Sequence, residues 1–449
     1  MIGSRIPCPR CDTQAGRSGW QRPFPPLNDM KNIGSTGMSS AAPSPSRSRD
    51  GTAATLLNDE ERARIRAKSA QFAPPTAAMP DGRRDLVGLS REELTDIMVE
   101  IGEKPFRTKQ LWHWIYHQGA TDFSRMSSIA RPLQEKLAER FVVGRPGVVT
   151  EQTSQDSTRK FLFRFRDGQE AETVYIPDRQ EDRGAVCISS QVGCTLSCTF
   201  CHTGTQALVR NLGAAEIVGQ FMAARDSYGE WPSPKGDTPR LLSTIVLMGM
   251  GEPLYNYDNV AKAMRIIMDG EGIGLSRRRI TLSTSGVVPM MDQCGAELGI
   301  NLAVSLHAVR DDLRDEIVPL NRKYPIRDVI AACRRYPAAS NARRITFEYI
   351  MLRGINDSEA DARELVRLIS GIPAKVNLIP FNPWPGSSYR PSTREQLERF
   401  ANIVMDAGFA SPIRMPRGRD ILAACGQLRT ESQRLRRASR PDAPADAVE

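Results

Sequence analysis

The chain has 449 residues, 40% of them hydrophobic, which is enough for a sizeable core and excludes a wholly disordered protein. Lys and Arg total 61 against 52 Asp and Glu, a net charge of +9 that favours a polyanionic partner such as nucleic acid. No apolar run approaches the roughly 18 residues of a membrane span and the first thirty residues lack a signal-peptide core, so a cytoplasmic protein without membrane contact is expected.

Residues 1–82 are rich in Pro, Ser, Gly, Ala and Arg and show no sustained apolar period, so this stretch is expected to be a disordered extension. Met30 and Met38 lie within it and offer alternative translation starts. Cys8 and Cys11 resemble half a zinc ribbon, but no second pair follows, and stray cysteines in a tail are the plainer reading. From residue 83 the pattern turns helical. Ser90-Arg-Glu-Glu93 is a capping box, and Leu94, Ile97, Met98 and Ile101 follow at helical spacing. Helical stretches at 108–117 and 130–141 complete a module over 83–145, where basic residues accompany Trp112, Trp114 and Tyr116. Such a set suits RNA contact and base stacking, and suits equally a core with a solvated basic face.

Phe161, Phe163 and Phe165 alternate with Leu162, Arg164 and Arg166, Asp167-Gly168 turns the chain, and Glu172 to Ile176 alternates again, which predicts a β-hairpin within a connector at 146–183. Glu172 shares a face with Val174 and Ile176, an odd place for a carboxylate outside a site. Strands are then expected at 185–189, 243–248, 280–283, 302–305, 345–351 and 376–380, with helices between them. Six strand-then-helix repeats over 184–412 predict an α/β fold with a parallel sheet. The segment 413–449 ends the chain, and from Arg414 to Arg440 it carries eight arginines against Asp420 and Glu431. It is expected to be a solvated end or an arm that faces RNA.

Nine cysteines is an odd count, and several cluster in one place, which points to metal or redox chemistry in a reducing compartment. Cys194-x-x-x-Cys198-x-x-Cys201 lies just beyond the first repeat strand. Three thiolates so spaced can hold three irons of a 4Fe-4S cluster and leave one iron open. A structural zinc wants four ligands, and His202, directly after Cys201, would be cramped as the fourth. Gly251-Glu252, Ser283, Ser305-Leu306-His307 and Asn382 fall at the carboxyl ends of the predicted strands, where α/β enzymes place their sites.

The cysteine spacing at the head of a βα series resembles the radical S-adenosylmethionine superfamily, whose fold is a partial (β/α)6 barrel. Read with Glu172-Thr-Val-Tyr-Ile-Pro177, Cys187-Ile-Ser-Ser-Gln-Val-Gly-Cys194, Met248-Gly-Met-Gly-Glu-Pro253, Ser305-Leu-His-Ala308 and Ala424-Cys-Gly-Gln-Leu428, the chain from about 85 to 430 resembles the bacterial dual-specificity RNA methyltransferases that modify adenine carbon 2. The resemblance implies a radical barrel preceded by a helical RNA-binding accessory domain and a hairpin. It implies one 4Fe-4S cluster on Cys194, Cys198 and Cys201, with S-adenosylmethionine, two molecules per turnover, held by Gly251, Glu252, Ser283, Ser305, Leu306, His307 and Asn382. Cys425 would carry the methyl group, Glu172 would remove the carbon-2 proton, and Cys187 would resolve the protein-RNA adduct through a transient disulfide. The implied substrates are 23S rRNA, at the peptidyl transferase centre, and tRNA, at the adenosine 3′ of the anticodon. An external donor of the flavodoxin or ferredoxin kind and a monomeric state are implied as well. The rival reading is the related resistance-type enzyme that methylates adenine carbon 8. Cys294 and Cys333 are expected to be packed core residues.

Overall fold

The computed structural model describes residues 50–75, 79, 81–178, 183–236, 238–337 and 339–430, with side chains from Asn58 onward. The Cys8–Cys11 pair, Met30 and Met38, residues 179–182 near the end of the connector and the arginines after Thr430 lie outside the described residues. Apart from Asp50 and Gly51, the described residues fall in one compact unit that starts at Thr52.

The expected disordered extension is corrected over Asp50–Ala70, which forms a helix, α1. Among its described side chains, from Asn58 onward, only Ile65 is buried, so no apolar period marks that stretch. Ion pairs hold it instead. Arg62 bridges to Asp59 at 2.8 Å within the helix, while Arg62 donates to the Pro289 carbonyl at 3.0 Å and Arg66 meets Asp258 at 3.2 Å across the interface. Ser69 accepts from Asn211 Nδ2 at 2.9 Å.

Strand β1 (Arg84–Asp85) pairs in parallel with β2 (Phe141–Val142), which brackets the helical module. The module holds α2 (Arg91–Glu100), α3 (Arg107–Trp112) running into a π-helical turn at His113–His117, and α4 (Arg131–Arg140). The capping box closes as the sequence predicts: Glu93 Oε2 accepts from Ser90 N at 2.7 Å, and Ser90 Oγ accepts from Glu93 N at 3.3 Å. The base-stacking reading fails for Trp112 and Tyr116, which are buried. Trp112 Nε1 donates to Asp269 at 3.2 Å, and Tyr116 Oη accepts from Gly88 N at 2.9 Å. These rings dock the module on the barrel and are closed to a nucleobase.

The connector contributes three strands, β3 (Gly147–Thr153), β4 (Arg159–Arg164) and β5 (Glu170–Pro177). The expected hairpin is thus one half of a three-stranded meander. All seven residues of β3 are exposed, which leaves no alternating pattern to read. The barrel strands are β6 (Gly184–Cys187), β9 (Leu242–Leu247), β10 (Ile280–Thr284), β11 (Asn301–Ser305), β12 (Ile345–Met351) and β13 (Ala374–Pro380). Two short strands, β7 (Gln191–Val192) and β8 (Arg210–Asn211), form an antiparallel ribbon between β6 and β9. Crossovers run through α5 (Ala214–Ser227), α6 (Tyr257–Met268), α7 (Val288–Glu297), α8 (Asp311–Ile317), α9 (Ile326–Arg335) and α10 (Glu359–Ile369), and α11 (Arg394–Asp406) follows β13.

One sheet carries all of this, in the order β13-β12-β11-β10-β9-β6-β5-β4-β3. Its first six strands are parallel and its last three antiparallel. Every residue of β12 is buried, as expected for a parallel strand covered on both faces. The chain after α11 returns to the open edge, where Ala410 and Ile413 bridge to Lys375 and Leu378 of β13 and Arg414 N donates to Leu378 O at 2.8 Å. That return brings Cys425 beside the barrel mouth. Cys294 and Cys333 are buried on α7 and α9, as packing residues should be.

Candidate active site

The three clustered thiols occupy the loop that the β7–β8 ribbon pinches off. Gly193 opens it at φ +75°, and a Cβ there would stand 2.3 Å from the Ala207 carbonyl oxygen, so only glycine fits. Within the loop Cys194 N donates to Gln206 O at 3.2 Å and Cys201 N to Cys198 O at 3.2 Å. All three cysteines are free. They line a cavity of ≈ 150 Å³ together with Gly251, Glu252, Ser283, Ser305, His307, Glu348 and Cys425. Among the described residues no three His, Cys, Asp or Glu side chains gather to hold a single metal ion. The thiols stand along a cavity wall, which suits the corners of a cluster. His202 is committed elsewhere: its ring stacks on Trp384 at 4.8 Å, Nδ1–H donates to Gln427 O at 3.2 Å, and Nε2 accepts from Arg429 at 3.3 Å. The fourth ligand of a zinc site is therefore missing, and the donor set of three thiols with an open side fits an iron-sulfur cluster.

Glu252 is buried at the end of the β9 turn. Its oxygens accept from Ser285 N at 2.9 Å and Leu254 N at 3.2 Å, and burial pushes its carboxyl up to about 7. A bound ammonium group would restore the charge that burial opposes. Gly251 sits at φ +101°, where an added Cβ would lie 2.5 Å from Gln191, so the backbone closes on the loop only with glycine. His307 also has positive φ, +62°. Its Nδ1 accepts from Ile350 N at 3.1 Å, and burial brings its pKa down to about 3, so the ring is neutral with its proton on Nε2.

Leu306 does not line the cavity; it is fully buried, and its carbonyl accepts from Arg314 Nε at 2.9 Å. Arg314, which the sequence reading missed, pins three site loops: it also donates to Ser285 O at 2.7 Å, Ser305 O at 3.2 Å and Asn321 Oδ1 at 2.9 Å. Arg314→Ala is expected to destabilise the protein by about 3 kcal/mol in urea unfolding, because buried carbonyls lose a charged donor. Arg314→Lys should recover less than half, since an ammonium lacks the planar fork. A midpoint unchanged in the alanine variant would dismiss this role.

Cys425 faces a second cavity of ≈ 50 Å³, shared with Cys187, Asn382 and Arg414, and Met248, Ile379 and Cys425 border both cavities. Asn382 Nδ2 donates to Cys425 O at 3.2 Å. Burial pushes the Cys187 thiol up to about 12, with Cys425 adding to the rise, while Arg414 opposes it. Glu172 borders neither cavity. It is buried on β5, with Oε1 2.9 Å from Lys160 Nζ and Oε2 accepting from Arg429 N at 2.8 Å. Burial raises its proton affinity against the pull of Lys160. The structure therefore gathers nine of the expected residues at one cavity, adds Cys187 and Asn382 through the adjoining one, and leaves Glu172 and Leu306 outside the walls.

Comparison with known proteins bears directly on this arrangement. Residues 84–143 match the model of the ribosomal RNA large subunit methyltransferase N-terminal domain, and residues 188–366 match that of the radical SAM superfamily. A dual-specificity RNA methyltransferase RlmN of Gluconobacter oxydans is 83% identical over 387 residues, 86% of this chain and 95% of the relative. Its counterpart in Acidiphilium cryptum is 76% identical over 85% of this chain and 98% of the relative. The chain belongs to the RlmN family of radical SAM methyltransferases. The crystal structure of a radical SAM methyltransferase from Sphaerobacter thermophilus is 44% identical and superposes with a TM-score of 0.71, covering 77% of this chain and 99% of that one. As an RlmN-family enzyme the chain uses a 4Fe-4S cluster and S-adenosylmethionine, two molecules per turnover, and the family resemblance disfavours the carbon-8 alternative. No helix among the described residues is long and apolar enough to cross a membrane.

Proposed function

We propose that this radical SAM RNA methyltransferase methylates carbon 2 of adenine, in 23S rRNA at the peptidyl transferase centre and in tRNA at the adenosine 3′ of the anticodon, by way of a methyl group on Cys425. The observation that carries the reading is Cys425 at the border of two cavities, one lined by the cluster thiols and the other by Cys187. When bound, the cluster and S-adenosylmethionine supply the methyl group and the radical that activates it. Cys194, Cys198 and Cys201 hold the cluster, and Gly251, Glu252, Ser283, Ser305, His307 and Asn382 hold the cosubstrate, with Leu306 acting through its backbone.

Carbon 2 of adenine lies between two ring nitrogens and is a poor nucleophile, so the base must be joined to the carrier before it can be methylated. Glu172 removes the carbon-2 proton, and its buried setting supports a raised proton affinity. The Lys160 ammonium, 2.9 Å from Oε1, opposes that rise. Cys187, having given up its thiol proton, then attacks the Cys425 sulfur and forms the S–S bond; the electron pair of the broken sulfur–carbon bond goes to the methylene carbon, which takes up a proton to become the methyl group. The segment 83–145 docks RNA, 184–412 is the catalytic barrel, and 413–449 is the carrier segment with a basic end. An external flavodoxin- or ferredoxin-like protein delivers electrons to the monomeric enzyme in the cytoplasm.

Nucleoside mass spectrometry of RNA methylated by the reconstituted enzyme tests the assignment. The expected product is 2-methyladenosine, and Cys425→Ala should yield none. A methyl group on carbon 8, or full methylation by the Cys425 variant, would overturn it.

A further inference from the structure

Two buried acceptor oxygens around Cys425 accept no hydrogen bond within the protein, Asn382 Oδ1 and Glu348 Oε2. Asn382 belongs to the expected cosubstrate set, whereas Glu348 belongs to no motif. Glu348 stands on β12, in register with Ser305 of β11 and Asn377 of β13, and is 3% exposed. Its Oε1 accepts from Asn377 Nδ2 at 2.9 Å and lies 3.9 Å from Arg414 Nη1. One oxygen is thus fixed by the protein while the carboxylate borders the cavity that Cys425 closes. Leaving a buried carboxylate oxygen without a donor is costly, and native structures rarely do so without a ligand to fill the place.

We propose that Glu348, held by Asn377 and Arg414, reads the target base by accepting a hydrogen bond from the exocyclic amine of adenine. The proposal rests on Cys425 being the carrier, because that brings the base to this wall. Adenine offers an amine donor flanked by ring-nitrogen acceptors, which complements a carboxylate oxygen with a guanidinium beside it. Guanine turns a carbonyl oxygen to the same place, and its lone pairs oppose the carboxylate, so the pair rejects as well as selects. The ribose hydroxyls of S-adenosylmethionine are the competing donors.

The test compares two RNA fragments, one with adenosine at the target and one with purine riboside, which lacks the amine. The wild-type holoenzyme should favour adenosine by about 10- to 100-fold in kcat/KM, with a matching ratio in filter-binding affinity. Glu348→Ala should bring both ratios near unity by losing adenosine affinity, with iron content and equilibrium-dialysis affinity for S-adenosylmethionine unchanged. Glu348→Asp keeps the charge but withdraws the oxygen by one methylene, and must show the same loss if the alanine variant does not fold. An unchanged preference overturns the proposal, and so does weakened S-adenosylmethionine binding with the preference intact, which assigns the oxygen to the ribose. Peptide mapping of methyl-Cys425 in the wild type checks the carrier reading separately.

Discussion

Cys187→Ala holoenzyme, incubated with labelled RNA, is expected to accumulate a slow-migrating RNA-protein species joined through Cys425. The two cysteines border one small cavity, and Cys187 is the other thiol on its wall. Without it, the adduct has no partner to displace carbon from sulfur. Release should slow by a factor on the order of 10³ or more, because a positioned thiol acts at an effective concentration far above that of millimolar external thiol. Glu172→Gln should also accumulate adduct, since the carbon-2 proton must leave before the carbon-sulfur bond breaks. Cys425→Ala should give neither methylated protein nor adduct while its cluster stays intact. A denaturing gel with peptide mapping separates the three. Cys187→Ala turning over near the wild-type rate with no adduct would return both cysteines to packing roles.

Cys198→Ala is expected to lose the visible chromophore of the anaerobically reconstituted protein and all methylation. Three thiols around the cavity are the minimum set for a cluster with an open iron, and the adjacent His202 is held away by Trp384, Gln427 and Arg429. Cys294→Ala supplies the control. That thiol lies on α7, 3.8 Å from the Tyr336 hydroxyl, and its loss should leave iron and sulfide content untouched. A fully occupied cluster in Cys198→Ala would refute the ligand assignment.

The barrel was legible because its strands and helices obey short periods. The reading placed β12 at 345–351, and the structure has it at those bounds. The site residues that lie on compact motifs, the three thiols and Gly251-Glu252, were legible for the same reason. What escaped is held by distant partners. Ionic contacts keep α1 in place, β3 has no buried face, and Arg314 and Glu348 gain meaning only from carbonyls, amides and cavities contributed by other strands. Trp112 and Tyr116 show the converse: beside basic residues they suited RNA equally well, and their burial against the barrel decides for the core.

The segment that follows Cys425 also constrains how the enzyme is made. Residues 426–430 lie along the thiol loop: His202 N donates to Gly426 O at 2.8 Å, Thr203 Oγ1 to Leu428 O at 2.5 Å, and Gln206 Nε2 to Thr430 Oγ1 at 3.1 Å. These partners stand more than two hundred positions apart in the chain, so their closure is a late event in folding. On the ribosome the thiol loop is complete while the segment that will cover it has yet to be synthesised, because domains form as the chain emerges from its N-terminal end. A cluster held by these thiols would therefore meet a freer loop on the nascent chain than on the finished protein, which would make its delivery a matter of timing in biogenesis as well as of affinity.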